Sequence, residues 1–286
     1  MKIAVTSASG QLGSAIVKTL IKEIGKENVI AIARTPKKAE HLGVEVRKGD
    51  YNEREQFNEA LKGIDKVLLV SGMDEPEKRI QQHRNVIDAA KQNNVKKIVY
   101  TSIIGDEDKT AFSSIVKSNR QTEKDIKESG LAWVIGRNGI YIEPDLEYIE
   151  TYTKEGEIRN CAADGKCAYT SREELGYAYA QLFINDNHNY NTFNLAGESI
   201  TQSQLATFIN KVYQTNLKYH PVSVEAYATE RKEELGDFMG TIITGIYEGI
   251  RIGVNDVTSD FEKVAQRAHQ SPSEMIENYR KVDDKI

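Results

Sequence analysis

Cysteine is scarce in this chain of 286 residues: only Cys161 and Cys167 occur. Two cysteines give no disulfide framework. Six positions apart, they could meet if the chain turned back, but in a reducing compartment they are expected as free thiols in the loop-rich segment 156–167. Histidine is also sparse, and positions 41, 83, 188, 220 and 269 form no ligand-spaced cluster with the cysteines, so no metal is expected. No uninterrupted apolar stretch approaches membrane-spanning length, and Met1-Lys2 runs directly into an apolar segment without a signal peptide, so a cytoplasmic chain with no membrane association is expected. A basic face is missing as well. The formal charge of −5 comes from interspersed residues, which argues against a nucleic-acid partner. With 39% hydrophobic and 28% charged residues and no internal repeat, the chain has the composition of an enzyme-sized globular protein.

What is present is concentrated at the start. Lys2 to Thr6 is short and apolar enough for a central parallel strand, and from Gln11 onward Ala15, Ile16, Leu20, Ile21 and Ile24 recur at helical spacing. Between them stands the turn Ser7-x-x-Gly10-x-x-Gly13, and a second apolar run ends at Arg34. This reads as a dinucleotide-binding opening: Gly10 lets backbone approach phosphates, Gly13 lets helix and strand pack, and a helix start offers unpaired N–H groups to a pyrophosphate. Serine replaces the usual first glycine. Either the turn differs slightly, or Ser7 occupies an ordinary backbone region. An acidic residue after the second strand would accept ribose hydroxyls, whereas the Arg34 guanidinium suits a 2′-phosphate, so NADPH is expected over NADH.

Further strand and helix signals alternate. Pro36 opens a short helix ending before Gly43, and Val44 to Lys48 reads as a strand near the sheet edge. Asp50 and Tyr51 follow it, the carboxylate suited either to an adenine amino group or to capping a helix over 52–61. Lys66 to Val70 delivers Ser71, Gly72 and Met73 to the same edge. A helix over 75–93 carries His83, read as a surface or packing residue. Lys97 to Thr101 is a strand, a helix surrounds 115–127, and Leu131 to Ile135 is a strand bounded by Gly130 and Gly136. The fold class is thus α/β, a Rossmann-type doubly wound parallel sheet, with a binding core over 1–136. Residues 137–286 supply mainly a smaller interleaved lobe for substrate. Within it, segments over about 171–200 return to the core: a helix with a capping-box signal at Ser171 and Glu174, then a strand at Asn191 to Leu195. Thr201 opens a further helix, Leu217 to Pro221 reads as a strand, Thr241 to Ile250 as a helix interrupted by Gly245, and Ser271-Pro272 as the start of the last helix. Tyr148 and Tyr152 either line a substrate wall or pack as helix neighbours.

The segments SASGQLG, QHRNVIDAAKQNNVKKIVYTS, TEKDIKESGLAWVIGRNGIY, AADGK, NLAGE and TSDFEKVAQRA, in this order over nearly the whole length, resemble the NmrA-like group of atypical short-chain dehydrogenases/reductases. Within it the likeness is to the branch of bacterial NAD(P)H quinone oxidoreductases of type 2 and triphenylmethane reductases. The resemblance implies NADPH carried by the turn that includes Ser7, Ser9, Gly10, Gln11 and Leu12, with Arg34 toward the 2′-phosphate. Ser71, Gly72 and Met73 would lie beside the diphosphate and nicotinamide half. Thr101, Asn138, Gly139, Ile140 and Tyr141 would surround the nicotinamide or the substrate mouth.

The Tyr-x-x-x-Lys pair of typical short-chain dehydrogenases is absent. Anchored on Glu123, the alignment puts Asn119 at the lysine position and Ile115 at the tyrosine position. Isoleucine donates no proton and asparagine carries no charge, so alcohol oxidation loses its base. No catalytic residue is therefore assigned, and Asn119, Tyr141 and Tyr148 are the substrate-pocket candidates. The expectation is hydride delivery from NADPH, without flavin or metal, to a quinone-like or similar conjugated aromatic acceptor. The alternative is a non-catalytic NADP(H)-sensing regulator acting on a protein partner. A monomer and a homodimer both fit the sequence.

Overall fold

The structure, a computed structural model, describes residues 1–283. Short β-branched runs supply its central sheet. β1 (Ile3–Val5), β2 (Val29–Ala33) and β4 (Lys66–Val70) are buried along their whole length, as strands covered on both faces must be. With β3 (Glu45–Lys48), β5 (Lys97–Ile103), β6 (Ala132–Asn138) and the late β10 (Thr192–Leu195) they form a seven-stranded sheet in the order β10-β6-β5-β4-β1-β2-β3, every pair parallel. The order reverses between β1 and β4, which opens a crevice at the strands' carboxyl ends.

One face is covered by α1 (Gln11–Ile24), α7 (Arg172–Ile184) and α10 (Phe261–Ala265), whose apolar side chains share a cluster with Ile3, Val5, Ala31 and Leu68. The opposite face packs α2 (Arg54–Ala60) and α3 (Pro76–Gln92), with Ile126 of α4 (Ser113–Lys127), over Ala4, Ile30, Val67 and Ile98. The sheet is thus a filling between two helical layers.

The rest of the chain forms the lobe above the crevice. β7 (Ile140–Tyr141) leads into α5 (Glu143–Glu147) and α6 (Ile149–Glu155), followed by β8 (Glu157–Asn160) and β9 (Lys166–Thr170). After β11 (Ser199–Thr201) come α8 (Gln202–Tyr213), β12 (Lys218–Pro221), α9 (Val224–Arg251) and α11 (Pro272–Asp283). β11, β9 and β7 make one small sheet, β12 and β8 another, around a core containing Ile142, Leu146, Tyr169, Leu205 and Ile250. The return of β10 to the large sheet matches the sequence reading. That of α10 was not foreseen from the sequence.

Several local expectations are corrected. β6 does not stop at Ile135: it runs through Gly136 to Asn138 because a glycine there admits the Tyr179 hydroxyl and Leu195 against the backbone. The loop-rich segment 156–167 also carries β8 and the start of β9, with 161–165 as the connection between them. Both cysteines are buried free thiols, and burial pushes Cys161 up to about 11 and Cys167 well above its ordinary value, which leaves them unreactive. The break in α9 lies at Gly236 (φ 81°, ψ 165°) rather than at Gly245, whose missing Cβ instead permits contact with the backbone of Phe112. Ser171 caps α7 by accepting from Glu174 N at 3.1 Å, but the Glu174 carboxylate turns to Arg267 and Gln270 N, so the reciprocal half of the box is missing. The complete box is at Thr201 and Gln204.

Candidate functional site: one cleft from the glycine turn to a tyrosine chamber

Ser7 has φ 48°, so the serine takes the left-handed conformation itself, and the ordinary-region alternative is excluded. Its carbonyl accepts from Gly10 N at 2.9 Å, closing the turn. A Cβ on Gly13 would meet Ser7 O, which is why helix and turn pack here only through glycine. Gly10 is the N-cap of α1 without a capping side chain, and the first backward bond is Ser14 N to Gly10 O at 2.8 Å. The first-turn N–H groups therefore have no partner within the helix and carry the positive end of its dipole.

Tyr51 braces this turn. Its hydroxyl donates to Val70 O at 2.6 Å and lies 2.6 Å from Thr6 Oγ1 and 3.1 Å from Ser7 Oγ, while its ring stacks on Phe57. Burial pushes its pKa up to about 12, so it stays neutral. Asp50 Oδ1 accepts from Asn52 N at 3.0 Å; it fixes the turn ahead of α2, whose own N-cap is Glu53. Arg34 is exposed at the end of β2 and has no ion-pair or hydrogen-bond partner among the described residues.

The Ser71–Met73 loop is pinned from below. Ser71 N donates to Thr101 Oγ1 at 2.8 Å, and Gly72 N donates to His83 Nε2 at 3.0 Å. His83 is fully buried, with Nδ1 2.9 Å from Thr122 Oγ1, and desolvation and then the Arg79 charge hold its pKa down at about 3. It is a neutral packing residue, not a surface one. Met73 stands 73% exposed over the opening. Asn119 is buried; its Oδ1 accepts from Tyr100 Oη at 2.7 Å and Ser71 Oγ at 3.1 Å, and its Nδ2 donates to Ile115 O at 2.9 Å. Glu123 lies behind, held by Ser102, Arg120 and Arg137.

At the far side, Asn138 Nδ2 donates to Tyr141 Oη at 3.0 Å and Asn138 Oδ1 accepts from Tyr179 Oη at 2.6 Å. Burial raises Tyr141 to about 12. Gly139 fits because a Cβ would lie 2.9 Å from that of Ala196. Tyr148 and Tyr152 pack at 6.0 Å between ring centroids, as the neighbour alternative expects, and both also line the cleft.

These residues share one cleft of about 1430 Å³. Ser7, Ser9, Gly10, Gln11, Leu12, Arg34, Asp50, Tyr51, Ser71, Gly72, Met73, Thr101, Asn119, Asn138, Gly139, Ile140, Tyr141 and Tyr148 all line it. Sequence reasoning missed the chamber beyond Tyr141, where Asp145, Tyr227, Ile242, Ile246 and Tyr247 complete the wall. Asp145 is 4% exposed, and the signal that could have marked it is an acid amid the apolar positions of a Pro-initiated helix. Among the described residues no group of three or more His, Cys, Asp or Glu is placed to hold a metal, and no helix is long and apolar enough to cross a membrane.

A family model described as NAD(P)H-binding matches residues 7–176. The chain is 35% identical over 234 residues to Quinone oxidoreductase 2 of Escherichia coli (strain K12), covering 80% of this chain and 81% of that one. Triphenylmethane reductase of Citrobacter sp., solved in complex with NADP(H), superposes with a TM-score of 0.89 at 30% identity, covering 98% of this chain and 99% of the other. The NADPH-dependent quinone oxidoreductase of Escherichia coli, solved with NADPH, gives 0.84 at 30% identity over 97% and 99% of the two chains.

Proposed function

Because this chain belongs to the NAD(P)H-binding family, in its NmrA-like group, we propose that it is an NADPH-dependent oxidoreductase that reduces quinones or similar flat aromatic acceptors. The observation that carries the reading is the continuity of one cleft. It starts at an uncapped helix end beside an unpartnered arginine and ends in a chamber of aromatic rings.

The residues present fit the dinucleotide. The free N–H groups at the start of α1 and the close approach allowed by Gly10 suit a diphosphate, and Arg34, without a partner among the described residues, suits a 2′-phosphate. Asp50 and Tyr51 would border the adenine, and Ser71, Gly72 and Met73 the middle of the molecule. Thr101, Asn138, Gly139 and Ile140 would border the nicotinamide. When bound, NADPH supplies a hydride.

The acceptor side is read from the chain's own groups. Tyr141 Oη takes its hydrogen bond from Asn138, which leaves the tyrosine's own hydrogen free to be donated into the cleft and to orient an acceptor oxygen. Tyr148, Tyr152, Tyr227 and Tyr247, with Ile242 and Ile246, offer the faces that a planar conjugated molecule needs and keep water from it. Ile115 and Asn119 provide no base, which disfavours alcohol oxidation. NADPH consumption by flavin-free protein with a benzoquinone-type acceptor tests the reading. Acceptor-dependent consumption supports it; partner capture that depends on NADP(H), without consumption, favours the cofactor-sensing alternative.

A further inference from the structure

Asp145 lies at the centre of the chamber wall. It is 4% exposed and lines the cleft, yet among the described residues no lysine or arginine pairs with it. Its partners are tyrosines alone: Tyr169 Oη at 2.8 Å on Oδ2, and Tyr247 Oη at 2.6 Å and Tyr152 Oη at 3.3 Å on Oδ1.

The direction of these bonds can be traced from the backbone. Ala162 N donates to Asn160 Oδ1 at 3.1 Å, so Asn160 Nδ2 is the donor to Gln202 Oε1 at 3.0 Å. Gln202 Nε2 is then left to donate to Tyr169 Oη at 2.9 Å, which fixes the Tyr169 hydrogen on Asp145 Oδ2. Oδ2 thereby faces a donor, Tyr169, that cannot turn round to accept. A proton bound by the carboxyl finds its acceptor from Oδ1, the oxygen shared with Tyr247 and Tyr152, and both of those tyrosines line the cleft. Once Oδ1–H donates to Tyr247 Oη, the hydrogen of Tyr247 is released toward the cleft. Tyr141 has no comparable supply, because Asn138 behind it cannot be protonated near neutrality.

We propose that Asp145 and Tyr247 deliver the proton that completes reduction of the acceptor. The assignment rests on the oxidoreductase reading above. In balance, a quinone gains one hydride from the dinucleotide, which leaves oxidised, and one proton from the protein. The Asp145 Oδ1–H bond breaks as the proton passes to Tyr247, the Tyr247 O–H bond breaks as the acceptor O–H bond forms, and water at the cleft mouth reprotonates Asp145. The setting supports this charge state: burial first, opposed by the bonds from Tyr247, Tyr169 and Tyr152, raises the carboxyl above its ordinary value. Around it, α6 presents Tyr152, β9 presents Cys167 and Tyr169, α9 presents Tyr227 and Tyr247, and α11 shares the core through Tyr279. Glu155, Glu157, Arg159, Glu230, Arg231 and Glu234 stand on the outer lining.

The test pairs infrared pH titration of the cofactor-free protein with steady-state benzoquinone reduction, for wild type, Asp145→Asn and Tyr247→Phe. A protonated-carboxyl band persisting above the ordinary aspartate range of about 3.9 and removed by Asp145→Asn is expected. Both variants should lose roughly 10²-fold in kcat, lose the wild-type alkaline limb, and keep NADPH affinity within about twofold. A missing band, or a band that survives Asp145→Asn, overturns the assignment. If Asp145→Asn does not fold, Tyr247→Phe decides alone, an unchanged alkaline limb being the contrary result. Wild-type turnover with unchanged limbs overturns only the proton route; no wild-type turnover overturns the oxidoreductase reading and the route with it.

Discussion

Asn138 Nδ2 donates to Tyr141 Oη at 3.0 Å, while Asn138 itself is held by Tyr179. The bond determines which way the Tyr141 hydroxyl can act: its oxygen is occupied and its hydrogen is free. Tyr141→Phe is therefore expected to lower kcat/KM for a quinone by roughly 3- to 10-fold, the worth of one hydrogen bond, and to leave NADPH affinity nearly unchanged. Tyr141→Ala should alter acceptor kinetics further, because the ring also goes. Steady-state kinetics beside a cofactor titration read both, and an unchanged acceptor dependence removes Tyr141 from the pocket.

Arg34 has no ion-pair or hydrogen-bond partner among the described residues and lines the cleft. Arg34→Ala should weaken NADPH binding by about 2 kcal/mol, roughly 30-fold, and spare NADH. Fluorescence titration with the two cofactors checks this. Equal losses for both would count against the 2′-phosphate assignment.

His83 links the Ser71–Met73 loop to acid stability. Its folded-state pKa is depressed to about 3 from an ordinary 6.5, by burial and the Arg79 charge. The unfolded chain thus binds a proton that the folded chain refuses, and stability falls as pH drops from about 6.5 toward 3. Denaturant midpoints across that range should decline, and His83→Gln should flatten the decline while lowering stability at pH 7 by about 1–3 kcal/mol, since Gly72 N and Thr122 lose a fitted partner. An identical slope in the variant would assign the acid sensitivity elsewhere.

Gly136 is where the sheet meets α7. Gly136→Ala would press its Cβ on the Tyr179 hydroxyl and to within 2.6 Å of Leu195 Cδ1. The expected cost is about 1–3 kcal/mol, a Tm lower by roughly 2–5 °C. Calorimetry measures it, and an unchanged Tm would mean that the contact yields freely.

The contrast between Gly136 and Gly10 shows what the sequence could disclose. The glycine turn, the amphipathic α1 and Arg34 are neighbours in sequence, and local periodicity carries them, as it carries the alternation through β5. Gly136 looked like a strand end because glycine is an ordinary breaker; the reason it continues the strand is Tyr179, forty-three positions away. The same holds for the chamber. Asp145 and Tyr247 are separated by 102 positions and meet only through the tertiary fold, which no spacing rule encodes. Gly236 and Gly245 are alike in sequence, and only packing against Phe112 tells the close contact from the kink. Ser7 departs from the glycine pattern yet keeps its geometry, because Tyr51 and the Gly10 N–H hold the strained residue in place.

The most direct measurement is NADPH oxidation by flavin-free, metal-free protein against a panel of benzoquinone-type and aromatic dye acceptors, with NADH in parallel. The account predicts an acceptor-dependent rate well above that of buffer, with NADPH preferred over NADH. NADPH bound at Arg34 but no acceptor raising the rate above buffer would contradict it.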